Sequence, residues 1–339
     1  MTNRRIGQGL LNRIAGIADH LPAPRDKAAR ALLRAAKDLA IGRDPAVRER
    51  AARRNAAKKK RKSDVFMHVP PGHYYSPIVD VREVTTRGSD TEEWVDLPGI
   101  DIDLAAYGEV WAEWLPHVRR WEEGVASENR RYHTANSMFG PHSARLLAGA
   151  IGAFRPRRYV EIGSGFSSAV MLDINEEWRS EDPIELTFIE PNPERLQSIL
   201  RDSDLDACTI IEEKVQSVDL AVFDRLEPGD VLFIDSTHVV KTGGDVITEW
   251  FEILPRIHPG VHIHVHDINY PFDYPHLWLV EQNRSWNETY FLRAFLMYNA
   301  QFVIQFWPDV LSRFGAKVGA EELELLGHKP SSIWLWRTS

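Results

Sequence analysis

One cysteine, Cys208, stands in 339 residues. That scarcity excludes an internal disulfide framework and a cysteine-built zinc site, and it suits a reducing cytoplasmic setting. Long apolar runs are also missing: no stretch approaches the roughly 18 residues that a bilayer-spanning helix needs. Arg4 and Arg5 begin the chain as a signal peptide would, but Asn12, Arg13, Asp19 and His20 interrupt any apolar core behind them. No internal repeat is evident. What remains, 43% hydrophobic and 27% charged residues, is the composition of a globular core with an appendage.

Charge is unevenly spread. Residues 1–63 carry 18 Lys and Arg against 5 Asp and Glu, while the remainder carries 23 against 44. An acidic body argues against a nucleic-acid channel across the main domain. The basic segment reads as a solvated, partly helical or disordered extension, or as an arm for an anionic partner. Weak helical patterns run over 1–20 and 26–40, and the run Lys58-Lys59-Lys60-Arg61-Lys62 closes the segment. A boundary is expected near Ser63. Residues 64–150 form a second region of loops and helices, with Trp111, Trp114, Leu115, Val118 and Trp121 at helical spacing as a stripe for packing on the main domain. Residues 151–339 form the third.

In that third region, short apolar runs alternate with helical stretches. Strands are predicted over 159–162, 186–190, 209–211, 231–235, 261–265, 302–306 and 333–336. Helices are predicted over 168–175, 193–200, 244–254 and 287–298. This is an α/β pattern, a mostly parallel, doubly wound sheet covered on both faces.

In such a sheet, ligands bind beyond the carboxyl ends of the strands, at the switch point after the first one. There stands Glu161-Ile162-Gly163-Ser164-Gly165-Phe166-Ser167. Gly163 and Gly165 let a backbone approach a ligand without a Cβ clash. A dinucleotide site would place a third glycine where Ser168 stands, and a pyrophosphate would be repelled by Glu161. A sulfonium cofactor with an α-amino group is not, so the turn is read as a seat for S-adenosylmethionine, with Glu161, Gly163, Ser164, Gly165 and Phe166 as candidate contacts. Glu190, ending the second strand, is placed to accept hydrogen bonds from both ribose hydroxyls.

The fourth strand runs into Asp235-Ser236-Thr237-His238, and the fifth into His266-Asp267-Ile268-Asn269. Both ends are expected beside the cofactor, with Asp235 a further contact to it. Asp235 and Asp267 converge from neighbouring strands, a pairing that suits Mg²⁺ or another hard cation. His238 or His266 is the candidate base, since imidazole titrates near neutral pH. His262, His264 and His266 alternate and share one strand face. His262 and His264 are read as packed histidines, with a transition-metal site on the row as the alternative.

The ordered set Glu161 to Ser168, Phe233-Ile234-Asp235-Ser236-Thr237-His238 and His264-Val265-His266-Asp267-Ile268 resembles the class I S-adenosylmethionine-dependent methyltransferases of the macrocin O-methyltransferase and cephalosporin-hydroxylase-like branch. The stretch Trp286-Asn287-Glu288-Thr289-Tyr290-Phe291-Leu292 and the upstream Tyr74-Tyr75-Ser76-Pro77 are similar to bacterial members as well. The resemblance covers about residues 65–338. It implies a Rossmann-like seven-stranded sheet with an antiparallel last strand, and cofactor contacts at Glu161, Gly163, Gly165 and Glu190. It also implies metal ligands at Asp235 and at the His266-Asp267 pair, where relatives tend to carry a second acid in place of His266 and Asp-Gly-Asp-His in place of residues 235–238.

The expected activity is methyl transfer to a hydroxyl of a sugar or small metabolite, within a protein that stands alone or as an oligomer. Tyr74 to Pro77 and Asn136 to Gly140 either fold over the cofactor as a lid or simply pack, and Trp278, Trp286 and Tyr290 are candidates for lining the acceptor pocket. Two rival readings stay open: a metal-dependent hydrolase using His262, His264, His266 and Asp267, and a non-catalytic binding protein on the same fold.

Overall fold

Seven short runs rich in Val, Ile, Leu and Phe become strands: β1 Arg158–Ile162, β2 Glu185–Ile189, β3 Cys208–Ile211, β4 Val231–Ile234, β5 His262–His266, β6 Phe302–Phe306 and β7 Ser332–Arg337. They lie in the order β3-β2-β1-β4-β5-β7-β6. The first five are parallel. β7 is inserted antiparallel between β5 and β6. The sheet is thus Rossmann-like and doubly wound, as the resemblance implies. β4 is buried at every residue and β1 from Tyr159 onward, because helices cover both faces and leave no solvated side to alternate with. β1 is flanked by β2 on one side and β4 on the other, so the switch point falls at the carboxyl ends of β1 and β4.

The computed structural model describes residues 68–84, 90–124 and 129–339. The predicted helices over 1–20 and 26–40 and the basic run at 58–62 lie outside the described residues. The chain divides into two units, Met1–Ser76 and Pro77–Ser339. In the first, residues 68–76 are turns, with the rings of His73 and Tyr74 stacked at 4.3 Å. The second unit holds the sheet.

Helix α1 (Leu104–Gly124) buries Tyr107, Trp111, Trp114, Leu115, Val118 and Trp121 along one face. The spacing of three and four residues makes that face continuous. Trp114 meets Phe154, Phe306 and Trp334 edge-on at 5.5, 4.7 and 5.5 Å. An aromatic ring buries 150–250 Å², so each of these rings contributes about 4–6 kcal/mol before entropy is charged against it. α1 is therefore part of the core.

Helix α2 (Pro141–Phe154) starts on Pro141, whose missing N–H is no loss in a first turn, and stops at Arg155, which turns left-handed at φ 51°. Between α1 and α2, Arg130 holds both oxygens of Glu177, and Arg131 reaches Asp173, Glu176 and Asp204. These ion pairs, buried at Arg130, Arg131, Asp173 and Asp204, fasten the segment 130–140, and Phe139 packs against Phe233 and His266.

Further along come α3 (Phe166–Trp178), α4 (Glu194–Gln197), α5 (Ala221–Asp224), α6 (Asp245–Thr248), α7 (Glu288–Leu296) and α8 (Pro308–Phe314). The continuous helix predicted over 244–254 is instead α6, a π-helical stretch Glu249–Ile253 and a 3₁₀ turn Leu254–Arg256. Pro255 has no N–H to give to an i−4 carbonyl, so the ladder cannot run on through it. Among the described residues, no helix is long and apolar enough to cross a membrane.

Candidate active site

The turn after β1 is shaped by its neighbours. Gly163 has φ 84°, and a Cβ built there would lie 1.9 Å from the carbonyl oxygen of Asp235. Glycine is required because β4 passes directly against the turn, which is a different reason from the ligand approach expected of it. Gly163 N–H donates to Ile189 O at 3.0 Å and Asp235 N–H to Ile162 O at 2.9 Å, so the turn is tied to both flanking strands. Gly165 is extended, and its N–H donates to Ser168 Oγ at 3.1 Å as α3 begins. The residue that replaces a third glycine thus caps the helix.

Glu161 lies behind the turn and is fully buried. Its Oε1 accepts from Ser167 Oγ at 2.6 Å and Ser168 Oγ at 2.9 Å. Burial pushes its pKa from 4.5 to about 8; the two serine hydroxyls oppose the rise, and the charge of Asp235 adds to it. Folding therefore takes up a proton wherever the unfolded carboxyl is ionised, so stability falls as pH rises from about 4.5 to about 8, by up to about 1.4 kcal/mol per pH unit. Glu161→Gln carries no such proton. Its melting temperature relative to the parent is expected to climb steadily between pH 5 and pH 8, and a constant difference over that interval would refute the neutral carboxyl.

Glu190 bridges two backbone segments: Ser164 N–H donates to one carboxylate oxygen at 3.3 Å and Asn192 N–H to the other at 2.8 Å. Both oxygens keep a lone pair for a further donor. Ser164 is buried and its hydroxyl has no hydrogen-bond partner, a costly state for a polar group that nothing satisfies. Phe166 opens α3 half-buried, with His133 edge-on at 5.1 Å. A cradle with a fixed carboxylate and an orphaned hydroxyl fits a nucleoside-bearing cofactor.

The ends of β4 and β5 meet at His238. Its Nε2 lies 3.3 Å from Asp235 Oδ1 and 3.4 Å from Asp267 Oδ2. One ligand atom from each of these three residues lies within 4.8 Å of the others, a set that could hold a metal ion. Two carboxylate oxygens suit Mg²⁺ or Mn²⁺, and the imidazole nitrogen favours the softer of the two. His238 and Asp267 both adopt left-handed backbone, at φ 59° and 56°. For a histidine that conformation is uncommon, and here it turns the ring back onto Asp235. On the other side of the ring, Nδ1 meets Glu288 Oε2 at 2.9 Å. Burial opposes a charge on this imidazole, but the hydrogen bonds to Asp235 and Glu288, with the charges of Asp267 and Glu288, outweigh it and raise its pKa well above the usual value. Without a metal, His238 is an imidazolium among three carboxylates.

His266 is near the cluster but differently engaged. Its Nε2 is 3.9 Å from Asp267 Oδ1, its Nδ1 pairs with His264 Nε2 at 3.1 Å, and Phe139 lies 5.2 Å from its ring. His262 stacks on Phe154 at 3.6 Å and bonds Gln305, while His264 stacks on Phe233 at 4.2 Å. Burial lowers the pKa of both, so both are neutral packing residues. Among the described residues, the histidine row forms no group of three that could hold a metal ion.

Three groups at the site escaped the sequence reading. Glu288 is fully buried behind His238, and its backbone N–H also donates to His238 O at 3.2 Å. Glu249 is fully buried behind Ser236, whose hydroxyl it accepts at 3.2 Å. Asp245 accepts both the N–H and the hydroxyl of Thr237. A signal for the first two was present: Glu288 is in phase with Leu292 and Leu296, and Glu249 with Val246, Trp250 and Ile253, so each acid stands on an apolar helix face.

Residues 160–268 match a family model described as a methyltransferase domain. An uncharacterized protein of Archaeoglobus fulgidus is 33% identical over 170 residues, covering 47% of this chain and 73% of that protein. Among solved structures, the Podospora anserina methyltransferase PaMTH1 with S-adenosylhomocysteine is similar at 12% identity and a TM-score of 0.38, over 67% of this chain and 88% of its own. A cmcI structure with Mg and SAM is similar at 15% identity and a TM-score of 0.35, over 60% of this chain and 74% of its own. The matched methyltransferase domain spans the glycine turn and both strand-end motifs.

Proposed function

We propose that the chain transfers a methyl group from S-adenosylmethionine to a hydroxyl oxygen of a sugar or other small acceptor, at a divalent metal held by Asp235, His238 and Asp267. One observation carries this reading: the glycine turn and the carboxylate–histidine cluster share Asp235, whose carbonyl closes on Gly163 while its carboxylate faces His238. A cofactor seated on the turn therefore has its reactive end beside the cluster. S-adenosylmethionine supplies an already activated methyl group, and a divalent ion would orient an acceptor hydroxyl and lower its pKa.

The chain's own residues do the positioning. Glu190 accepts from the ribose hydroxyls with lone pairs that Ser164 and Asn192 leave free. The buried Ser164 hydroxyl gains the partner it lacks. Glu161 acts from behind, through Ser167 and Ser168, to fix the turn from which Gly165 and Phe166 meet the cofactor. His238 serves as a ligand whose Nδ1 proton is fixed by Glu288, an imidazole–carboxylate pairing common around metals. Removal of the acceptor proton falls to water or to His266, whose Nε2 faces the Asp267 side of the cluster.

Isothermal titration of the full chain with S-adenosylhomocysteine tests the cofactor half of this reading. Glu190→Ala is expected to weaken binding at least tenfold, since two hydrogen bonds to a charged group are lost at about 1.5–3 kcal/mol each. An absence of binding at millimolar ligand in the parent would sink the proposal, and an unchanged affinity in the variant would remove the ribose assignment.

A further inference from the structure

Beside the cluster stands a cation with no ion-pair partner among the described residues. The guanidinium carbon of Arg284 lies 4.7 Å from the ring centre of Trp278 and 4.4 Å from that of Trp286. The two indoles are nearly perpendicular, at 75° and 5.5 Å, so the guanidinium is wedged in the angle between them. The position is built by the backbone, because Arg284 N–H donates to Trp278 O at 2.9 Å and closes the turn that follows the π-helical stretch Leu277–Glu281. Trp286 in turn lies 4.5 Å from the ring of His238, so one indole touches both the arginine and the proposed metal ligand. The charge of Arg284 reaches as far as the Asp267 carboxylate.

Among the described residues, no carboxylate lies within ion-pair distance of this guanidinium, and no acceptor is hydrogen-bonded to it. Arg130, Arg131, Arg145, Arg158 and Arg313, by contrast, each reach a carboxylate. Next to Arg284, the hydroxyl of Ser285 is buried without a partner. A guanidinium held by π faces is fixed in place without being neutralised, and its in-plane N–H groups keep the fork that matches a carboxylate or a phosphate.

We propose that Arg284 is the anion-recognising residue of the acceptor site, and that the hydroxyl acceptor carries an oxyanion, a carboxylate or a phosphate, alongside the oxygen to be methylated. This rests on the methyl-transfer reading and narrows its acceptor class. The division of charge suits such a molecule. Asp235 and Asp267 repel an anion except where a metal or protonated His238 stands between them, while Arg284, one indole away, attracts it. The acceptor is oriented by its two ends, the oxyanion at Arg284 and the hydroxyl at the cluster. The class of reaction that supplies it is one that makes a sugar acid or a phosphorylated sugar.

The test is calorimetric titration of the full chain, saturated with S-adenosylhomocysteine and kept metal-free by chelator, with D-glucuronate, D-glucose 6-phosphate, inorganic phosphate and D-glucose. At least one oxyanion is expected to bind tenfold or more tightly than glucose, and which one it is distinguishes carboxylate from phosphate recognition. Arg284→Gln and Arg284→Ala should fall to the glucose level, and Arg284→Lys should lie between, because it keeps the charge and loses the fork. S-adenosylhomocysteine affinity should stay within twofold in every variant, which also reports that each is folded. The proposal is overturned if no oxyanion binds more tightly than glucose, or if Arg284→Gln binds oxyanions as the parent does. Failure of the parent to bind S-adenosylhomocysteine would instead overturn the methyl-transfer reading, and the anion series without cofactor would still decide the role of Arg284.

Discussion

Gly163→Ala is expected to abolish binding of S-adenosylhomocysteine and to lower the melting temperature by about 6–12 °C. The backbone there is left-handed, at φ 84°, and such a conformation costs an alanine about 1–2 kcal/mol by itself. The new Cβ would lie 1.9 Å from Asp235 O, a distance at which something must move. Asp235 cannot recede easily, since its N–H is bonded to Ile162 O at the end of the β1–β4 ladder. The turn cannot recede either without pulling Gly163 N–H from Ile189 O.

Together the strain and the lost bonds amount to about 3 kcal/mol, and a unit of this size loses about 2–4 °C per kcal/mol. Gly165→Ala is the control. That residue is extended, and an added Cβ meets only the flexible Arg195 side chain, at 3.2 Å. It should melt within about 3 °C of the parent. Differential scanning calorimetry and calorimetric titration measure both effects. A Gly163→Ala protein that melts with the parent and still binds the cofactor would show that the turn can relax away from β4.

The reason for this contrast was only half visible in the sequence. The pattern Gly163-Ser164-Gly165 after an apolar strand marks a tight turn at a switch point, because glycine and strand periodicity are local properties. What Gly163 must avoid is the carbonyl of Asp235, 72 positions on, and no local pattern carries that contact. The same division holds across the sheet. β4 is a continuous apolar run and β1 is apolar but for Arg158 and the buried Glu161, and both read directly as strands buried on both faces. The insertion of β7 between β5 and β6 is a matter of tertiary pairing, legible only through family resemblance.

The histidines of β5 show what alternation can settle. His262, His264 and His266 share one face, as a period of two requires, and the first two pack against Phe154 and Phe233. Glu288 and Glu249 show the opposite case. An acid within a helix is ordinarily taken as a solvated residue, so two buried ones pass unnoticed unless their phase against Leu292, Leu296, Val246 and Trp250 is examined. The site's least legible part is therefore the part that sets the charge on His238.

That charge makes metal binding at the cluster steeply dependent on pH, on the reading that Asp235, His238 and Asp267 are the ligands. A metal can take Nε2 of His238 only after the proton there leaves. With the ring's pKa raised well above its usual value, that proton is present throughout the neutral range. Mn²⁺ affinity is accordingly expected to rise about tenfold per pH unit from pH 6 to pH 8, with about one proton released per ion bound. The apo protein should respond in the opposite sense. The imidazolium's contribution to stability is complete below the unfolded histidine's pKa, about 6.5, and is lost as pH climbs through the higher folded value.

Metal should therefore protect against melting most strongly at the alkaline end. Glu288→Gln retains an acceptor for Nδ1–H but removes a negative charge, so the proton leaves more readily and the rise in affinity shifts to lower pH. Glu288→Ala leaves Nδ1 without a partner in a buried place and should cost about 10–100-fold in affinity at every pH. Electron paramagnetic resonance of free Mn²⁺, titrated at pH 6, 7 and 8, follows all three proteins. A pH-independent affinity in the parent would mean that His238 keeps its proton and that the ion, if it binds, is held by the carboxylates alone.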